Sequence, residues 1–316
     1  MQIMLGNQTE VVEFVILGFS DLHLFQIPVF LLFTMIYIAT VAGNILLIVL
    51  VLFSHPLHSP MYFFLSHLSA CDVLISTNVV PNALQTLLNG FTYMSVHRCF
   101  VQLYFFGASA IIECCLLSVM SYDRYLAICN PLRYSSIMAF RLHYYLATWS
   151  WSMGFMVAII TIFLLLEVKF CGPNVIDHFF CDLSPLLGIS CSDSSAVEIA
   201  VSLVAGIVGL LQFLFVFVTY ICIFNAILRI STESGRKRAF STCSAHLSVV
   251  CTYYGSLISV NIVPSKGYSL NIKKALSVLN TVLTPLFNPI IYSLRNKDIQ
   301  EALRQVMFSR RHLKKS

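Results

Sequence analysis

Five stretches of this chain carry no Asp, Glu, Lys or Arg: Leu22 to Cys71, Leu142 to Leu166, Ile199 to Leu228, Ala239 to Ser265 and Ala275 to Leu294. Each reaches the roughly 20 residues that a helix needs to cross a bilayer. With 58% hydrophobic and only 10% charged residues, the 316-residue chain has too little polar surface to solvate a globule. Its solvent is therefore largely lipid. The first stretch is too long for one crossing, and Ser54-His55-Pro56-Leu57-His58-Ser59-Pro60 breaks it into two. A further span runs from about Cys99 to Ile128, with Glu113 inside it and Asp123-Arg124 at its end. The expectation is a single all-α membrane domain over residues 1–316, with seven spans near 26–53, 58–86, 98–130, 142–166, 197–228, 238–262 and 273–294. After the last span, Ile299, Leu303, Val306 and Met307 recur at helical spacing among Lys297, Gln300, Glu301 and Arg304. This predicts a short amphipathic helix on the inner leaflet within a cytoplasmic tail, 295–316.

Basic residues in short loops are retained on the cytoplasmic side. With residues 1–25 outside, 14 of the 19 Lys and Arg fall inside, and only Arg98, Lys169, Lys266, Lys273 and Lys274 fall outside. The net charge of +5 is then a basic rim against anionic lipid, and no nucleic-acid partner is needed to explain it. No basic n-region precedes an apolar run near the start, so the first helix is expected to act as its own insertion signal. Asn7-Gln8-Thr9 is the one glycosylation sequon, and it lies on the side that the charge bias makes extracellular.

Cys99, Cys171, Cys181 and Cys191 share that oxidising side, and four cysteines allow three pairings. Joining Cys99 to Cys181 would pin the long loop before the fifth span over the bundle mouth. Cys171 with Cys191 would then close that loop on itself.

A charge inside a span is costly, so each one raises a functional hypothesis. Asp72 and Glu113 lie mid-way along the second and third spans and could face one polar cavity with Asn44 and Asn288. Two carboxyls and two amides suit a bound sodium ion or a retained proton; the plainer reading is a polar plug that aligns helices. No other cofactor is expected. At the inner end of the third span, Asp123 can hold the guanidinium of Arg124 in one arrangement and release it in another, as a switch requires. His178, Cys181 and Asp182 stand close together, but a disulfide at Cys181 would remove the thiolate that a transition metal wants, and no such metal site is expected.

Several strings then agree in order and spacing: Gly43-Asn44; LHSPMYFFLSHLSACD from Leu57 to Asp72; MSYDRYLAICNPLRY from Met120 to Tyr134; SGRKRAFSTCSAHL from Ser234 to Leu247; and PLFNPIIYSLRNKD from Pro285 to Asp298. Across essentially its whole length the chain resembles the olfactory receptors, chemosensory members of the rhodopsin-like G-protein-coupled class. The resemblance implies a multi-pass plasma-membrane receptor, not an enzyme. It implies a small volatile odorant as ligand and a heterotrimeric G protein of the stimulatory, olfactory type as partner, raising cyclic AMP. Carried onto this sequence, Asp123 and Arg124 form the inner lock, Tyr220 and Tyr292 rearrange around it, and Asn288-Pro289 is a hinge in the seventh span. Arg236, Lys237 and Arg238 line the opening for the G protein, where positive-inside anchoring is the plainer role.

The resemblance also sets the ligand residues: Phe106, Gly107, Ala110 and Ile111 on the third span, Val204 and Val208 on the fifth, and Tyr254, Leu257, Ile258 and Asn261 on the sixth. That set is apolar with two polar handles, Tyr254 and Asn261, and suits a neutral or weakly polar molecule. Phe106 occupies the place where amine receptors carry an Asp, and Ala275 to Leu294 contains no lysine for a retinal Schiff base. Thr219-Tyr220, Tyr253-Tyr254-Gly255, Asn261 and Asn280 depart modestly from the family pattern. The reading from another class is an ion channel or transporter using Asp72 and Glu113. Against it stand the absence of repeat symmetry, of Gly-rich broken helices and of charge rings.

Overall fold

A computed structural model describes residues 11–19, 25–171, 174–262 and 269–313, with side chains at 238, 242, 261, 262, 269, 270 and 306–313 outside the description. Asn7 and the side chains of Arg238 and Asn261 therefore lie outside the described residues. The elements in chain order are β1 (Glu13–Ile16), α1 (Gln26–Phe53), α2 (Pro60–Asn89), β2 (Thr92–Ser95), α3 (Val96–Cys129), α4 (Pro131–Ile137), α5 (Phe140–Leu165), β3 (Val175–Ile176), α6 (Leu183–Leu187), α7 (Ser195–Leu228), α8 (Glu233–Ile262), α9 (Ser269–Val278), α10 (Thr284–Arg295) and α11 (Lys297–Leu313). A π turn, Leu279–Leu283, joins α9 to α10 into one span.

Local chemistry sets the breaks. Ser59 and Pro60 open α2, Pro60 sitting where its missing N–H costs nothing, and Gly90 at φ 79° closes it in the left-handed conformation. Ser95 opens α3 by accepting from the N–H of Arg98 at 3.3 Å.

Six spans, α1, α2, α3, α5, α7 and the α9–α10 unit, are long and apolar enough to cross a membrane. α8 is more polar, yet its 30 residues reach about 45 Å. Five of its hydroxyls are satisfied within the helix: Ser244, Ser248, Thr252, Ser256 and Ser259 each donate to a carbonyl three or four residues back, at 2.7–2.9 Å. A helix that pairs its own polar groups can stand in hydrocarbon, and α8 completes the seven-helix bundle.

The apolar windows of α3 and α7 are 67% and 11% buried, so α3 is the axis of the bundle and α7 its most peripheral member. Large apolar side chains face outward, among them Leu31, Met35 and Ile38 of α1 and Leu210, Leu211 and Phe217 of α7. Polar side chains face inward, including Asn44, Asp72, Glu113, Asp123 and Asn288. This distribution suits lipid as the solvent. α11 turns Ile299 and Ala302 into the main core, against the turn between α1 and α2.

The all-helical expectation leaves out a small sheet at the end of the bundle that carries the disulfides. Its order is β2-β1-β3, antiparallel between Glu13 and Ser95 and parallel between Val15 and Val175. Phe14 and Ile16 of β1 are buried with Met94, Ile176 and Leu186.

Candidate functional site

The disulfide end is tied together covalently and by hydrogen bonds. Cys99 is joined to Cys181 and Cys171 to Cys191. Gln102 on α3 and Asn78 on α2 exchange amide-to-carbonyl bonds at 2.7 and 2.8 Å, and Gln102 Oε1 accepts from the N–H of Cys181 at 2.8 Å. The loop is thus anchored to two helices beside its disulfide. His178 is fully buried, its ring centroid 4.7 Å from those of both Phe179 and Phe180. Burial, with Lys274 and Lys273 nearby, lowers its pKa to about 3. With Cys181 in a disulfide, His178 and Asp182 gain no thiolate partner.

Beneath this loop lies a cavity of about 300 Å³. Of the residues named from sequence, Phe106, Gly107, Ala110, Ile111 and Leu257 line it. Val204 and Ile258 are 36% and 47% exposed and lie outside the lining, as does half-buried Val208. Buried Tyr254 packs edge-on against Phe213, ring centroids 5.3 Å apart. The difference is one of helix rotation: α7 turns Val201, Ser202 and Ala205 toward the cavity, and α8 turns Leu257 and Val260. Asn280, whose departure from the family pattern suggested a preference for hydrogen-bonding odorants, lines it too; the sequence gave no ligand role to Asp182, Ser184, Glu198, Lys273 or Ser277, which also do. Lys273 entered only as a loop charge and Asp182 only as a metal ligand. Burial lifts Asp182 above the ordinary carboxylate range, opposed by Lys273 and by the Leu183 N–H that it accepts at 2.8 Å. Asn280 sits in the π turn and accepts from Ser256 Oγ at 3.1 Å.

Below the cavity, Asn288 Nδ2 donates to both oxygens of Asp72 at 3.0 Å, and Glu113 lies within hydrogen-bonding reach of Asp72. Asn44 spends its amide differently. Its Nδ2 donates at 3.0 Å to Thr40 O and at 3.0 Å to Pro285 O, the carbonyl that Pro289, lacking an N–H, leaves without its helical partner. Asn44 Oδ1, Glu113 Oε1, Asn288 Oδ1 and the hydroxyls of Ser69, Ser76 and Ser109 are buried without a protein partner. The unpartnered atoms named here are all oxygens.

At the opposite end, Arg124 Nε donates to Asp123 Oδ2 at 3.0 Å, and its Nη2 contacts the same oxygen. Tyr134 of α4 donates to Asp123 Oδ1 at 2.8 Å, so the carboxylate is held from two sides. The Tyr220 hydroxyl lies 2.6 Å from Nδ1 of buried His246, and the two rings stack at 12°. Tyr292 is fully buried with its hydroxyl unpartnered. Tyr62 donates to Asn296 and Asp298 at 2.9 and 2.8 Å, locking α2 to the junction of α10 and α11. A cavity of about 870 Å³ opens here, with Arg124, Lys237, Arg295 and Lys297 in its wall; exposed Arg236 lies outside it. Sequence reasoning assigned nothing to Tyr134, His246 or Tyr62, although all three stand inside the strings that carried the resemblance.

The sequence pattern that defines the olfactory receptors matches residues 33–310. Among curated proteins, the chain is 44% identical to Homo sapiens olfactory receptor 6F1 over 298 residues, covering 94% of this chain and 97% of that one. It is 42% identical to Homo sapiens olfactory receptor 11A1 over 302 residues, covering 96% and 95%. For Homo sapiens olfactory receptor 6P1 the identity is 44%, covering 95% of each. With seven helices, a polar centre and a cavity at each end, the chain belongs to the olfactory receptor family of multi-pass G-protein-coupled receptors and is a receptor, not an enzyme.

Proposed function

We propose that a small, neutral odorant binds in the 300 Å³ cavity and favours a state in which the 870 Å³ cavity accepts a G protein of the stimulatory, olfactory type, raising cyclic AMP. One observation carries the reading. A single axial helix, α3, lends Phe106 to the wall of the first cavity and Arg124 to the wall of the second. A ligand acts on such a helix only through its differential affinity for two states. The disulfide end is then extracellular, with Asn7 glycosylated, and the Arg124 end cytoplasmic. Phe106, Gly107, Ala110, Ile111 and Leu257 form the ligand wall, and Tyr254, beneath it, couples ligand to α8. Asp123, Arg124, Tyr220, Pro289 and Tyr292 form the switch, and Lys237, with Arg236 and Arg238 beside it, meets the G protein. Asn44, Asp72, Glu113 and Asn288 hold a sodium ion or a shared proton, for which their side-chain oxygens are suited.

The test is a volatile library screened against surface-expressed receptor in cells without other receptors. Ligand-evoked cyclic AMP should vanish in Arg124→Ala with surface level kept. Ligand-evoked current or uptake that survives Arg124→Ala would instead make the chain a channel or transporter.

A further inference from the structure

Tyr253 of α8 is 3% exposed, and its hydroxyl crosses to the axial helix, donating to Ala110 O of α3 at 2.6 Å. Cys114 Sγ, one turn further along α3, donates to the same hydroxyl at 3.3 Å. Ala110 lines the 300 Å³ cavity, so this bond fastens α8 to the backbone of the ligand wall. Tyr253 itself lines neither cavity.

The segment that bears Tyr253 is where α8 can bend. Ser256 Oγ donates back to Tyr253 O at 2.8 Å, a back-bond of the kind that bends helices, and a Cβ at Gly255 would meet nothing within 4 Å. α3 is held more tightly, its backbone in close approach to Gly154 of α5. Towards its base, α8 lends Lys237, Ser241 and Ala245 to the wall of the 870 Å³ cavity, as α3 lends Arg124. Asp123 holds the guanidinium of Arg124, so the inner lock is closed while the Tyr253 bond is made. A bond of 2.6 Å tolerates little movement: drawing the ring about 1 Å from Ala110 takes it beyond the ordinary hydrogen-bond range.

We infer that the Tyr253 hydroxyl is a latch of the resting state, holding the bend of α8 to Ala110 of α3 and releasing when α8 swings from α3 to admit a partner at the Arg124 end. It is a positioning residue, acting on the switch through α8 without touching ligand or partner. This rests on the reading of the chain as a ligand-switched receptor. A bond made in one state only biases the equilibrium toward that state.

Tyr253→Phe removes the hydroxyl alone. The ring keeps its edge-on contact with Tyr254, centroids 5.4 Å apart, and Ala110 O, in mid-helix, keeps the N–H of Cys114 as its helical partner. The deciding measurement is the rate at which a maleimide labels Cys243 in purified, ligand-free, full-length receptor, resolved from the other cysteines by peptide mass spectrometry. Cys243 is 4% exposed, packed in the inner half of α8 against Ile223 and Ile227 of α7, and becomes reactive when α8 swings out. Labelling should run about two- to tenfold faster in Tyr253→Phe, the factor for one ordinary hydrogen bond. Cys71, fully buried in α2, should label at the parent's rate. In cells, ligand-free cyclic AMP per surface receptor and ligand potency should each rise by the same factor, because a larger share of the receptor stands in the competent state. Equal or slower labelling of Cys243 overturns the inference whatever the cyclic AMP level, and so does acceleration shared by Cys71, which would mean general loosening. Faster labelling of Cys243 alone with unchanged cyclic AMP keeps the latch and removes the signalling reading.

Discussion

His178 shows what a fully buried titratable side chain costs. In an unfolded chain its ring would protonate near pH 6.5; between Phe179 and Phe180, with Lys273 and Lys274 close by, it stays neutral down to about pH 3. Between those values the unfolded state takes up a proton that the folded state refuses, so stability falls as pH falls through this window and is complete above it. At pH 5 the loss is about 2 kcal/mol, from 1.36 kcal/mol for each pKa unit. His178→Phe keeps an aromatic ring in the stack without a titrating nitrogen. The thermal midpoint of purified receptor should drop between pH 7 and pH 5 in the parent by several degrees more than in His178→Phe; equal drops would mean that His178 does not set the acid sensitivity. Asn44 illustrates the opposite economy, one amide serving a carbonyl that a proline has orphaned. Asn44→Ala leaves Pro285 O buried and unpaired and should cost about 1–3 kcal/mol. A midpoint unchanged from the parent would show that another donor reaches that carbonyl.

Two glycines mark how closely the spans approach one another. A Cβ at Gly154 of α5 would stand 2.4 Å from Ile112 Cγ1 and 2.6 Å from Ala108 O of α3, whereas one at Gly107 of α3 would meet nothing within 4 Å. The same substitution should therefore act oppositely. Gly154→Ala must push the axial helix from its neighbour, at about 1–3 kcal/mol, and lower surface expression. Gly107→Ala gains helix propensity of about 0.5–1 kcal/mol and narrows the odorant cavity, so expression holds while the preferred ligand becomes smaller. Expression falling equally in both would contradict the close-approach argument. The spans themselves were legible because charge is nearly excluded from them, Asp72 of α2 and Glu113 of α3 standing alone in mid-crossing. Their rotation was not: α7 is apolar on every side, and a helix without a polar face carries no amphipathic signal for which residues turn inward. The resemblance points to Val204 and Val208, and nothing in the pattern of α7 itself signals that Val201, Ser202 and Ala205 face the cavity instead. The sheet was illegible for another reason, since strands of two to four residues from distant segments leave no run long enough for period-2 alternation.

Seen as a whole, the molecule is strapped at the disulfide end and open at the Arg124 end. β1 joins β2, between α2 and α3, to β3 in the disulfide-bonded loop, and the chain then continues to Gly18. There Gly18 donates its N–H to His178 O at 2.9 Å, while its carbonyl accepts from Lys274 Nζ, also at 2.9 Å. Lys274 pairs with Asp177 at 2.5 Å, so the seventh span, the loop and the N-terminal segment meet at one ammonium. Only glycine suits position 18, because φ is +62° and a Cβ would come within 2.4 Å of Thr86 Cγ2. Gly18→Val and Lys274→Met attack the strap from its two sides, one by steric exclusion and one by removing the donor. A local loss of about 1–2 kcal/mol would speed opening about 5–30-fold. Amide exchange at 13–16 and 92–95 should accelerate by that factor in both variants, with exchange in the core of α3 unaltered. Acceleration confined to Gly18→Val would mean that the sheet, rather than the Lys274 contact, closes this end of the bundle.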